Sequence, residues 1–408
     1  MEPITQNVAI FTVCNIAYLP RALVLADSVF TQGGVRLKIF IFDKKSNIEL
    51  STLNAELIWM EDLAVPNFHQ LAMKYDIIEF STSLKPYLTL RLLEKHERVI
   101  FFDPDICLYS SPLPILRDLD EHSILLTPHY TTPQSSDPSE SDLGMMKFGS
   151  FNLGFFAVKR DKHSQVFLEW WSERCIAFSF MEAQFGLSTD QKWVTIAPCL
   201  FRGICVSFNL GYNMAPWNSY ERRAAKDAKG QYVVNGEFPL VFFHYSNFVG
   251  DDPQYLKKRA VVERGAFRTD LLELGLAYKA KLDEKTSLVP PVPYSYDYFS
   301  GGDYISPTLR RAYASILPEL PPHDPFDSTG TFFKFAKKNR LLSRDHSPYK
   351  RSGMADLKQN QGYLRGIYCA MRVALRILGP NRFYNFSRFL VFLSSYRQNR
   401  GLWIYSGK

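Results

Sequence analysis

Short apolar runs of strand length recur along the chain, separated by stretches of helical periodicity. VAIFTV (8–13) is one such run and ends in Cys14-Asn15. From about Leu19 to Phe30 the residues Leu23, Ala26, Val29 and Phe30 share a helical face, and Gly33-Gly34 stops the pattern. VRLKIFIF (35–42) alternates and then turns fully apolar, predicting a second strand that ends at Asp43, and ELIWM (56–60) predicts a third. Ser83 to Lys95 reads as a helix that tolerates Pro86 in its first turn. RVIFF (98–102) is a buried strand terminated by Asp103-Pro104-Asp105. ILLTP (124–128), FNLGFFAV (151–158), VSFN (206–209) and PLVFFHY (239–245) predict later strands, with a helix from Lys162 to Cys175. Such alternation predicts an α/β fold with a mostly parallel central sheet and helices on both faces.

Between the strands, the polar loop TTPQSSDPSESD (131–142) is too hydrophilic for a core and long enough for a mobile lid over a site. After Asp251 the periodicity becomes helical through residues 253–283. Pro/Tyr/Gly-rich stretches at 289–307 and 318–325 then read as linker or wrapping segments. Three parts are expected: an α/β domain over 1–252, a helical and Pro/Tyr-rich wrapping segment over 253–330, and a basic, aromatic, mainly helical end over 331–408.

Charge sharpens this division. The 408 residues carry a formal net charge of +7, but residues 331–408 hold sixteen basic and two acidic residues (Asp345 and Asp356), leaving an acidic body of −7. A strongly basic end calls for an anionic partner. With 46% hydrophobic and 15% aromatic residues the composition is globular, which excludes disorder, collagen and coiled coil for the whole chain. The six cysteines (14, 107, 175, 199, 205 and 369) form no CxxC pair, which argues against a zinc site or a disulfide framework. No secretory signal and no run of about 18 apolar residues is visible, so the expectation is a cytoplasmic protein without a membrane span.

VIFFDPDICLY (99–109) is the most informative segment. An apolar strand delivers Asp103 and Asp105 at its carboxyl end, the edge where open α/β sheets place ligands. Two carboxylates at this spacing can share a hard divalent cation and leave coordination positions for phosphate oxygens. The alternative is a pair of solvated turn aspartates. GYNMAPWN (211–218) adds Tyr212, Asn213, Trp217 and Asn218, a set suited either to stacking on a sugar acceptor or to core packing.

Taken in order, the turn Cys14-Asn15-Ile16-Ala17-Tyr18, the segment STSLKPYLTLRLLEKHERVIFFDPDICLY (81–109), the strand FNLGFFAV, TDQKW (189–193) and FFHYSNF (242–248) resemble the GT-A fold glycosyltransferases. The likeness is greatest to the bacterial lipopolysaccharide galactosyltransferase and glycogenin family and spans roughly residues 8–250. The resemblance implies that Asp103, Asp105 and His244 bind Mn²⁺ or Mg²⁺. It places Thr12, Cys14, Asn15 and Tyr18 against the nucleotide and Lys85 against the donor, with Gly154 admitting the sugar to the backbone. It also implies that Asn152 and Asp190 contact sugar hydroxyls, Asp190 being alternatively a helix cap, and that Gln191 lies near the anomeric carbon. The donor it implies is a nucleotide sugar, UDP-hexose by family, transferred with retention to a glycan or lipid-linked glycan of a bacterial surface polysaccharide. One departure stands out: Ser246-Asn247-Phe248-Val249-Gly250 replaces the family's Lys-Pro continuation, for which Lys257 or Lys258 are the nearest substitutes.

At the basic end, Arg365, Arg372 and Arg376 fall on one helical face, while Leu364, Ile367, Met371, Leu375 and Leu378 fall on another. This is the pattern of an interfacial helix on anionic lipid, at the inner face of the plasma membrane, or of a packing helix with a solvated Arg face. No nucleic-acid-binding module is recognisable, so no nucleic-acid partner is expected. A catalytically inactive GT-A scaffold or glycan-binding module is the competing function. A nucleotidyltransferase is disfavoured because CNIAYLPRA lacks a Gly-rich basic loop.

Overall fold

The computed structural model describes residues 7–46, 54–133, 141–248, 256, 268–342, 361–393 and 395. In chain order the elements that position the site begin with β1 (Val8–Cys14), α1 (Leu19–Gly33), β2 (Leu37–Ile41), β3 (Ala55–Trp59), α2 (Phe68–Lys74), α3 (Ile77–Ser83) and α4 (Lys85–Leu93). There follow β4 (Arg98–Phe102), β5 (Ile106–Leu108), α5 (Leu113–Glu121), β6 (Ile124–Pro128), α6 (Ser141–Phe148), β7 (Phe151–Lys159) and α7 (Lys162–Phe178). Short elements complete the series: β8 (Met181–Glu182), β9 (Leu187–Ser188), α8 (Gln191–Val194), α9 (Ala197–Leu200), β10 (Ile204–Val206), β11 (Ala224–Lys226), β12 (Tyr232–Val234), β13 (Phe238–Pro239) and β14 (Phe242–His244).

Seven strands form one sheet in the order β10-β6-β7-β4-β1-β2-β3. All neighbours are parallel except β7, which runs antiparallel to both β4 and β6. One face packs Ile10, Ile39, Ile100 and Leu125 against α1 (Leu19, Leu23, Ala26, Val29) and α5 (Ile115, Leu116, Leu119). On the other, Phe11, Phe101 and Phe156 form a ring ladder with centroids 5.0 and 5.2 Å apart, and Trp171 of α7 meets Phe156 at 5.1 Å. Large rings and branched side chains on both faces make each strand a near-continuous apolar run, as burial on two sides requires. This is the α/β, mostly parallel architecture with helices on both faces that the GT-A resemblance implied.

Local chemistry sets the element ends. Gly34 adopts φ 70° and returns its N–H to the Phe30 carbonyl at 2.8 Å, terminating α1 at the predicted Gly pair. Asp161 caps α7, accepting from His163 N at 2.9 Å and Ser164 N at 3.0 Å. The helix predicted over 83–95 is α4, two residues shorter at each end and with Pro86 in its first turn as expected. The apolar run 239–245 likewise breaks into β13 and β14, and the strand expected at 206–209 lies two residues earlier as β10. Most of the expected lid falls on residues 134–140, outside the described residues, as do Lys257, Lys258 and much of the helical stretch 253–268.

By internal contacts the chain divides into two compact units, Met1–Pro66 with Ile77–Tyr294, and Asn67–Asp76 with Ser295–Lys408. The first contains the sheet and the helix Thr269–Thr286. In the second, helix Pro307–Ile316 carries the fully buried Arg310. Its guanidinium donates to the carbonyls of Ala72 (2.7 Å), Tyr75 (3.0 Å) and Tyr296 (2.7 Å) and pairs with Asp297 at 2.8 Å. The helix Gln361–Leu393 of this unit is broken at Gly379 (φ 72°, ψ 164°), just before Pro380. It exposes Ile367, Tyr368, Val373, Ile377, Tyr384 and Phe389. Among the described residues no helix is long and apolar enough to cross a membrane.

Candidate active site

Strand β4 ends at Asp103, whose N–H bonds the Gly154 carbonyl at 2.7 Å and whose carbonyl accepts from Ile106 N at 3.1 Å. This tight turn holds Asp103 and Asp105 on one side. β5 then pairs antiparallel with β14 so that Ile106 faces His244, and Tyr245 N donates to the Asp105 carbonyl at 2.8 Å. The ligand atoms of Asp103, Asp105 and His244 thereby lie within 4.8 Å of one another. His244 Nε2 sits 3.1 Å from Asp105 Oδ1 and 3.9 Å from Asp103 Oδ2.

Electrostatics follow from this crowding. Burial opposes charge on both His244 and Asp105, but their mutual attraction outweighs it. The imidazole is raised above its usual range, and the Asp105 carboxyl is held below its own. Two carboxylate oxygens and one imidazole nitrogen, the carboxylates partly open to solvent, are a donor set that fits a hard divalent cation such as Mn²⁺ or Mg²⁺.

Lys85 is not an exposed helix lysine. At the first residue of α4 it is 4% exposed, and its Nζ lies 3.0 Å from Asp103 Oδ1, 3.0 Å from the Leu153 carbonyl and 3.3 Å from Asp190 Oδ2. It also sits 4.4 Å from the centroid of the Phe101 ring. Burial works against the ammonium, but Asp103 and Asp190 more than restore it, so Lys85 stays charged. Asp190 occupies the cap position of α8 without capping it; its Oδ1 accepts from Thr189 Oγ1 at 3.0 Å instead. Burial raises the Asp190 carboxyl; Lys85 only partly offsets that. Lys85 therefore joins Asp103 and Asp190, far apart in sequence, into one buried charge cluster. The neighbouring Gln191 donates from Nε2 to the Phe148 carbonyl at 3.1 Å.

Gly154 lies in β7, where a Cβ would fall 2.3 Å from His244 Cε1 and 2.9 Å from Asn152 Oδ1. The space kept free by this glycine is thus filled by the His244 imidazole. Asn152 accepts through Oδ1 from Gly154 N at 3.2 Å and from Asn213 Nδ2 at 3.0 Å.

The predicted nucleotide turn follows β1. Asn15 Oδ1 accepts from Tyr18 N at 3.2 Å, and Tyr18 presents a partly exposed ring 4.6 Å from the Arg21 guanidinium. Asp43, buried at the end of the second strand, fixes the turn by accepting from Ile16 N at 2.7 Å. Thr12 and Cys14 are different: both are buried in β1, with the Cys14 thiol inside the hydrophobic cluster under α1. The Thr12 hydroxyl has no hydrogen-bond partner among the described residues.

Sequence reasoning missed Asp43 and His129. Asp43 was visible only as a polar residue after a strand. His129 sits in no motif, yet its carbonyl accepts from Trp217 Nε1 and Asn218 Nδ2, both at 3.0 Å. Trp217 packs edge-on to His244 at 5.1 Å, beside the triad, whereas Tyr212 turns into the core and bonds Asp118 at 3.0 Å.

Residues 39–194, from β2 through α8, match the model of the nucleotide-diphospho-sugar transferase family. Over this span, less than half of the chain, the sequence is similar to nucleotide-diphospho-sugar transferases, the class to which the motifs and the carboxylate pair also point. The chain is 28% identical over 176 residues to the uncharacterized protein YfnF of Bacillus subtilis, covering 42% of this chain and 58% of that one. It is 27% identical over 175 residues to YfnD of the same organism, covering 42% and 54%. The chain thus spans little more than half the length of these curated relatives. Among solved structures, the galactosyltransferase LgtC in complex with donor and acceptor sugar analogs is 15% identical, with a TM-score of 0.41 over 71% of this chain and 98% of that one.

Proposed function

We propose that the chain transfers a hexose from a nucleotide-diphosphate sugar, with UDP-hexose as donor, to a glycan or lipid-linked glycan in the synthesis of a bacterial surface polysaccharide, and that it retains the anomeric configuration. The observation that carries this reading is the convergence of Asp103, Asp105 and His244 at the carboxyl end of the parallel sheet.

Those three residues would hold Mn²⁺ or Mg²⁺. When bound, the cation supplies positive charge that stabilises the departing nucleoside diphosphate. The chain's own groups do the rest. The Asn15–Tyr18 turn receives the nucleotide, with the Tyr18 ring available for stacking. Lys85 stays protonated and pins Asp103 and Asp190, so that each keeps one fixed orientation as the donor enters. Asp190 accepts from a donor-sugar hydroxyl, the Asn152 amide contacts a second, and Gln191 faces the anomeric carbon. Trp217 gives the acceptor an aromatic wall.

The basic end supports a second element of the proposal. The helix Gln361–Leu393 carries five arginines (365, 372, 376, 382 and 388) and no acidic residue, with exposed apolar side chains between them. It would lie on an anionic membrane surface, the setting of a lipid-linked acceptor.

Donor turnover measured across a panel of nucleotide sugars, with and without Mn²⁺, tests the reaction. Turnover should require the cation and favour one UDP-hexose, and the product should keep the donor's anomeric configuration by NMR. Unchanged donor affinity and turnover in the Asp103→Ala, Asp105→Ala double variant would overturn the metal assignment.

A further inference from the structure

Behind the triad, four side chains join into one directional hydrogen-bond chain. At its far end His129 Nδ1 faces the Ser150 carbonyl at 3.3 Å. A carbonyl only accepts, so this nitrogen carries the proton and Nε2 is left with a lone pair. That lone pair faces Asn152 Nδ2 at 3.5 Å. Loss of solvent pushes the His129 imidazole down to about 4, against the smaller upward pull of the Ser150 carbonyl, which keeps the acceptor nitrogen bare. Asn152 Oδ1 is in turn committed as an acceptor, taking Gly154 N at 3.2 Å and Asn213 Nδ2 at 3.0 Å. The Asn213 amide gives its other hydrogen to Thr127 Oγ1 at 3.1 Å. Its Oδ1 therefore points at His244 Nδ1, 3.3 Å away.

Each link dictates the next. Turning over Asn152 would set N–H groups against Gly154 N–H and the Asn213 amide, and turning over Asn213 would set its oxygen against Asn152 Oδ1. Asn213 is fully buried and held at φ 54°, a left-handed conformation that asparagine tolerates better than other non-glycine residues. With Nδ1–H held by Asn213, Nε2 faces Asp105 at 3.1 Å; without a cation it donates to that carboxylate, and with one it would offer its lone pair instead.

We infer that Asn213, oriented through Asn152 by His129, is a positioning residue that selects the Nδ1–H tautomer and ring orientation of His244 for cation binding. The inference rests on reading Asp103, Asp105 and His244 as metal ligands. Outer partners of a ligating histidine commonly set its tautomer, and their loss weakens metal affinity.

Two readouts on the full chain test it without any sugar donor. Histidine-selective ¹⁵N long-range correlation spectra of the Mg²⁺-loaded protein should show the Nδ1–H tautomer for both His129 and His244. In Asn213→Gly, which keeps the left-handed backbone but removes the amide, His244 should lose that state at the same Mg²⁺ concentration. Free-Mn²⁺ titration by electron paramagnetic resonance should show binding weakened roughly 10- to 100-fold in that variant. A wild-type His244 in the Nε2–H form, or a folded Asn213→Gly variant with unchanged Mn²⁺ affinity, would overturn the inference. Should that variant fail to fold, the Mg²⁺-loaded wild-type spectrum decides, and a wild type that binds neither cation refutes the metal reading itself. Absence of sugar transfer leaves both readouts in force, so failure of the transferase reading is seen separately.

Discussion

A methyl group on Gly154 would overlap the His244 ring, with Cβ 2.3 Å from Cε1. Gly154→Ala should therefore displace the imidazole and weaken Mn²⁺ binding by about tenfold or more, measured by titration, while the melting temperature moves less than for a core cavity. If the site were only a pair of solvated aspartates, affinity would not change. Lys85 makes the complementary case. Lys85→Met leaves Asp190 buried without a counter-charge and should destabilise the protein by about 3 kcal/mol in denaturant titration. Adding Asp190→Asn should recover part of that stability without recovering turnover. At this scale the sequence was legible where a motif paired residues: Asp103, Asp105 and His244 meet as the family resemblance implied. It was not legible where a partner comes from a distant segment with no motif. The burial of Lys85, the role of Asp43 and the hydrogen bonds of His129 depend on which side chains the fold brings alongside, and spacing alone carries no such information.

Among the elements, α7 offers a clean probe of capping. Asp161 accepts two backbone N–H groups and the Ser123 hydroxyl at 2.7 Å. Burial raises its carboxyl, but the bonds from Ser164, Ser123 and His163 together outweigh this and hold it below the usual aspartate range. A depressed folded-state pKa stabilises the protein above the unfolded pKa and is lost as pH falls through the folded value. Asp161→Ala should thus cost about 1–2 kcal/mol at neutral pH, and the gap to wild type should close in acid. Equal gaps in urea melts at both pH values would contradict this. Strand positions were readable because two-sided burial leaves apolar runs in the sequence. Errors arose at ends, where chemistry overrides periodicity. The bend between β13 and β14 splits a run that looked like one strand, and β10 lies two residues before the strand expected at 206–209.

For the molecule as a whole, the charge division is the property most open to measurement. Each arginine near an anionic bilayer contributes about 1 kcal/mol, screened by salt. The full chain should co-sediment with phosphatidylglycerol vesicles at low ionic strength but not with neutral phosphatidylcholine vesicles, and Arg365→Glu, Arg372→Glu and Arg376→Glu together should release it. Equal binding to both vesicle types would remove the electrostatic basis of membrane attachment. The α/β architecture was legible from the alternation of runs, whereas the helical unit that gathers Asn67–Asp76 with Ser295–Lys408 was not. Its organiser, Arg310, is a charged residue buried by backbone carbonyls, and nothing in a sequence distinguishes such an arginine from a solvated one. The pairing of β5 with β14 carries a consequence for assembly. A nascent chain that has emerged only as far as β10 already possesses every strand of the large sheet and both carboxylates, yet lacks the third ligand. If the three side chains hold the cation as proposed, its binding would wait until the late ribbon docks, and added Mn²⁺ should raise the melting temperature in a concentration-dependent way by drawing the chain towards its finished state.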